Sequence, residues 1–357
     1  MDITDWQLWL DLFSTSEKRP GVFATFMWST YEFVRFTPLL LGAVVLALTF
    51  VRPRGWVRLP VESTRRTLLA RFGTLAPLCL IMVATICGVL VALFRGFTWS
   101  GYVNGAWFRA AVPLTLVALL GVTLLRLRRE PQPTVGERAI LPRRPWHGFS
   151  PRSLIAIIGV TITLYLATEL WQAAVGPEPR ELHNAVGGDR VLKNVGGAPP
   201  TALGWENHAA SLLGILLVVV MLLWLLKYDA SRPVPSHAPL AEVASERKMT
   251  ARLVCQITLG GTLLALGVVW LHTWAPTTEY VEIREGRSGH SGDMIISHFH
   301  GLVGVLRAMG WVFQGLGAGL LLRLLVDTVR SARAARTTHD STSPRADATS
   351  QRIGAEQ

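Results

Sequence analysis

The side chains best placed to do chemistry in this chain are ionisable groups embedded in apolar sequence. Arg307 is the one charged residue in the stretch Met294–Leu322. As a helix that stretch is ~43 Å long, against ~30 Å for a hydrocarbon core, so Arg307 sits deep within it. A charge at such depth is costly and faces a protein interior or a wet cavity, which marks a functional site. His300, Arg307 and Gln314 follow one another at seven-residue intervals. Seven steps leave a helix ~20° from whole turns, so the three side chains share one face.

A second stripe lies in the apolar run Ser153–Val175. There Thr161, Tyr165, Thr168 and Gln172 fall within a ~60° arc, with Glu169 beside it. Threonines alone would satisfy their own backbone in a membrane helix. A tyrosine, an amide and a carboxylate at the same place ask for partners. Six of the nine histidines, at 183, 208, 272, 290, 298 and 300, gather toward one side of the alternating spans. Counted inward from the span ends, His300 is ~6 Å deep, Glu169 ~9 Å, Tyr165 ~15 Å and Arg307 ~16 Å. Matching depths predict one outward-opening pocket in which Arg307 neutralises Glu169 and His208 and His272 form the roof. In that pocket Glu169, His300 and Tyr165 are the expected catalytic groups, with Glu169 as general acid or base. Arg307, Gln314, Gln172, His208 and His272 are the expected substrate-binding groups, the guanidinium suiting a phosphate or carbonyl oxygen.

The elements that must hold these residues are read from the apolar runs. Half of the chain is hydrophobic and 17% is charged, as in a polytopic membrane protein. Seven runs are long enough to cross as helices: 32–51, 72–94, 107–125, 153–175, 208–226, 253–274 and 296–322. The expected fold is therefore an all-α helical bundle of about seven transmembrane helices. Residues 1–31 read as an outer interfacial helix and lead-in, 32–326 as the membrane domain, and 327–357 as an unstructured cytoplasmic tail. Of the 35 Lys and Arg, 24 fall on the side of the 52–71, 126–152 and 227–252 connections and the C-terminal segment. The positive-inside rule makes that side cytoplasmic and puts the N-terminus outside, in a multi-pass cell-membrane protein. The acidic N-terminal residues do not resemble a cleavable signal peptide.

Charge that is explained by orientation and by contact with the lipid bilayer leaves no case for nucleic acid as a partner. No G-x-x-x-x-G-K-[ST] occurs, and the three cysteines, all within spans, have no zinc-type spacing. No metal site is expected. A haem held by His208, His272 and His300 is the weakest of the readings, and no cofactor is assigned. The preferred function is a membrane-embedded enzyme that uses general acid–base chemistry on a lipid-phase substrate such as a prenyl chain or a quinone. The alternatives are a transporter or permease with a proton-coupled site, and an accessory subunit that locks onto a partner subunit.

Overall fold

The computed structural model describes residues 37–50, 65–94, 106–130, 148–175, 190–193, 205–234, 239–272, 278–285, 289–296 and 300–354. Seven helices lie among them: α1 (Thr37–Phe50), α2 (Arg66–Phe94), α3 (Ala106–Arg129), α4 (Arg152–Val175), α5 (Trp205–Ser231), α6 (Leu240–His272) and α7 (His300–Gly354). The helices from α2 to α7 are long and apolar enough to cross a membrane, so the body is a helical membrane bundle. With 14 residues, α1 is shorter than a crossing requires. The expected interfacial helix in residues 1–31 lies outside the described residues. From Ser331 onward α7 continues as helix where composition suggests an unstructured tail. Its turn at Asp327 and Thr328 is already buried, which ties the start of that segment to the bundle.

These segments are helical because nothing in hydrocarbon competes for the backbone amide and carbonyl groups, which a helix satisfies internally. Their threonines follow suit. Thr161 and Thr163 donate to the carbonyls of Ile157 and Gly159, four residues back. Large apolar side chains such as Val160, Leu213, Leu216 and Val305 are exposed, which in a bilayer is the lipid-facing surface.

Nearly all of α6 is buried, whereas the other five spans expose more than half of theirs. It touches α2, α3, α4, α5 and α7, and so forms the axis of the bundle. The closest packing is with α7. Gly260 and Gly267 of α6 oppose Gly317 and Gly310 of α7, each pair seven residues apart. A Cβ on Gly267 would stand 2.7 Å from the Gly310 carbonyl oxygen, and one on Gly317 would stand 2.8 Å from that of Gly260. The G-x-x-x-G of Gly315 and Gly319 faces α1 instead, where Cβ atoms would meet Leu41 at 2.6 Å and Val45 at 2.6 Å. Small residues here let backbones come together, the usual source of adhesion between helices in lipid.

One end of the bundle is tied by ion pairs. Arg65 donates to Asp229 (2.7 Å) and Glu130 (3.0 Å), and Glu130 also pairs with Arg232. Arg247 of α6 donates to the Ala230 carbonyl at 2.9 Å. Burial alone would lower the pKa of Arg65, but the carboxylates of Asp229, Glu130 and Glu246 outweigh it and raise it. At the opposite end, the α4–α5 and α6–α7 connections share a three-stranded antiparallel sheet, the one sheet among the described residues. β1 (Arg190–Lys193) pairs with β2 (Thr278–Glu285), which pairs with β3 (Gly289–Ile296).

Candidate functional site

Near the sheet end, three helices converge on a buried polar cluster. Helix α4 contributes Tyr165, Glu169 and Gln172, spaced four and three residues apart and hence on one face. Helix α5 contributes His208 and Ser211, three apart in its first turns, and α3 contributes Arg109, three residues from its start. All six are buried, Glu169, His208, Ser211 and Tyr165 completely.

The hydrogen bonds fix most of the protons. Ser211 donates its hydroxyl to Glu169 Oε1 at 2.8 Å. That commits the one serine proton, so in the short contact between Tyr165 and Ser211 the phenol is the donor. Glu169 Oε2 faces His208 Nδ1, and an ionised carboxylate can only accept, so Nδ1 carries a proton. The guanidinium of Arg109 stands 3.7 Å from Glu169 Oε2 and donates to Gln172 Oε1 at 2.8 Å. Arg109 thus places a positive charge beside the buried carboxylate. With its Nδ1 proton engaged, His208 has Nε2 left over. That nitrogen is buried and has no hydrogen-bond partner among the described residues. In neutral imidazole it carries a lone pair, held in a fixed direction by the carboxylate behind the ring.

Trp270 of α6 reaches α4 at the residue before Glu169. Its indole N–H donates to Thr168 Oγ1 at 2.9 Å, while its ring meets Phe313 of α7 edge-on at 4.9 Å. Helix α6 therefore stands between α4 and α7.

Of the residues expected from sequence, the structure brings together Glu169, Tyr165, Gln172 and His208. Among the described residues the cation beside Glu169 is Arg109; the expected pairing with Arg307 falls on a side chain outside them. Gln314 is buried on the α6–α7 seam against Gly267. Arg307 and His300 belong to α7 and His272 to α6, with side chains outside the described residues. Arg109 and Ser211 were not foreseen. Arg109 interrupts the apolar run 107–125 at its edge, the same signal that singles out Arg307, but so near a span end it reads as a connection charge. A serine in a membrane helix carries no signal of its own. Among the described residues no group of three or more His, Cys, Asp or Glu is placed to hold a metal ion. Comparison with family models, curated proteins and solved structures finds no match to this chain.

Proposed function

We propose that this multi-pass protein is a membrane-embedded enzyme that moves a proton to or from a lipid-phase substrate, such as a prenyl chain or a quinone, at the Glu169–His208 pair. The observation that carries the reading is the Nε2 of a histidine, without a hydrogen-bond partner among the described residues, whose Nδ1 is held by a buried carboxylate. This is the disposition of a general base: Nε2 takes a proton, and the imidazolium that forms is stabilised by Glu169 behind it. Arg109, itself bonded to Gln172, stands beside that carboxylate, and Ser211, in contact with Tyr165, donates to its other oxygen. Arg307, His300 and His272, on helices adjoining α4 through α6 or forming it, are assigned to the substrate side of the reaction. By the distribution of Lys and Arg, the protein sits in the cell membrane with the sheet end outside, so the substrate enters from the outer leaflet.

A second reading, an accessory subunit in which the cluster only locks α3, α4 and α5 together, is favoured by the complete burial of its members. The two part at His208→Gln, which keeps a donor toward Glu169 but has no titratable nitrogen. In a host lacking the gene, lipid-phase prenyl and quinone pools are compared by mass spectrometry after return of wild type or variant. The enzyme reading expects a pool that wild type restores and folded His208→Gln does not. Restoration by the variant sinks it in favour of the lock.

A further inference from the structure

At the arginine-rich end, α3 and α5 run parallel, pack side by side and end at one level. Each shows a lipid-facing stripe with the same offsets. On α3 it is Val122, Leu125, Arg126 and Arg129; on α5 it is Val220, Leu223, Trp224 and Lys227. Residues at those intervals share one helix face, and all eight are exposed. Both stripes change from apolar to cationic in the final turns. Between them Arg128 lies over two rings of α5, with its guanidinium carbon 4.8 Å from the centre of Trp224 and 5.5 Å from that of Tyr228. No carboxylate pairs with Arg126, Arg128, Arg129 or Lys227 among the described residues. The acids close by are already engaged, Glu130 by Arg65 and Arg232, and Asp229 by Arg65.

We infer that this double stripe is a binding site for an anionic phospholipid, with the phosphate held by Arg126, Arg128, Arg129 and Lys227 and the acyl chains lying along Val122, Leu125, Val220 and Leu223. Charge complementarity names the headgroup: cations at a membrane boundary without a carboxylate partner among the described residues attract acidic lipid. The apolar residues immediately deeper name a lipid rather than a soluble phosphate, since only a lipid uses both halves of the stripe. Trp224 suits the junction of the two, as an aromatic with one apolar and one polar side. Stacking on Trp224 and Tyr228 holds the Arg128 guanidinium in place while leaving its N–H groups to donate.

The test is lipid titration of the purified full-length protein in detergent, read by native mass spectrometry and by thermal melting. The probes are phosphatidylglycerol, phosphatidylcholine and inorganic phosphate. Wild type is expected to retain phosphatidylglycerol and to melt higher with it, and to respond to neither of the other two. Each cation near a membrane surface is worth roughly fivefold in affinity, so Arg126→Gln/Arg129→Gln/Lys227→Gln should weaken binding by roughly a hundredfold. A control with equal charge loss, Arg152→Gln/Lys248→Gln/Arg252→Gln, neutralises exposed cations on α4 and α6 at the same end and should stay within about twofold of wild type. Equal loss in the control would reduce the effect to general surface charge and overturn the site. Equal retention of phosphatidylcholine, or equal stabilisation by inorganic phosphate, would overturn the assignment to an anionic lipid. Should the triple variant melt lower without lipid, Trp224→Leu, which removes the stacking ring and no charge, decides: undiminished binding of phosphatidylglycerol rejects the proposal.

Discussion

Glu169 spends both of its oxygens inside the bundle, one on Ser211 and one on His208, with Arg109 beside the second. Removing one partner of a buried pair costs far more than removing both, because it strands a charge. Arg109→Ala is therefore expected to destabilise the detergent-solubilised protein by ~3–5 kcal/mol, measured by denaturant or thermal unfolding. Glu169→Gln added to it should recover a good part of that loss, so that the double-mutant cycle is strongly non-additive. An additive cycle would contradict the pairing of Arg109 with Glu169. At this scale the sequence was legible in part. Tyr165, Glu169, Gln172 and His208 stand out because polar side chains in hydrocarbon demand a reason. Depth along a helix can be counted from its ends, but which neighbour it faces cannot, and that is why Arg109, at a span end, does not declare itself as the partner of Glu169. Ser211, whose contribution is one hydroxyl, becomes visible only when its neighbours are.

Helices in lipid adhere by shape, and the α6–α7 seam shows how little room the shape leaves. A methyl on Gly267 would stand 2.7 Å from the Gly310 carbonyl oxygen, so Gly267→Ala must push the helices apart. Overpacking of this kind costs ~1–3 kcal/mol and should appear as a lower melting temperature. Gly159→Ala is the control, since a Cβ on that exposed residue of α4 meets nothing within 4 Å. It should be neutral or slightly stabilising, because alanine is the better helix former. Equal effects of the two would mean the seam is looser than its geometry. The spans from α2 to α7 were readable from length and apolarity alone, since those are the properties that hydrocarbon selects. The G-x-x-x-G at Gly315 and Gly319 does not name α1 as its neighbour, because a small-residue motif describes one surface only. The β1–β2–β3 sheet gave no warning, its strands being short and set in long polar connections.

For the whole molecule, the 24 Lys and Arg on one side predict that a reporter joined after Arg336 behaves as cytoplasmic and that a tag in the β2–β3 connection is reached from outside. The reverse result in either assay would invert the bundle. The position of α6 also bears on how the protein is made. A chain is delivered to the membrane in order, and α6 arrives before α7 exists. Its faces toward α2, α3, α4 and α5 can be covered at once by helices already present, but the side carrying Gly260 and Gly267 has to wait. Until α7 closes over it, that strip of bare backbone is solvated only by lipid tails, which fit it poorly. Synthesis halted before residue 300 should leave a bundle that is inserted yet open along one seam, and therefore recognisable to the cell as unfinished.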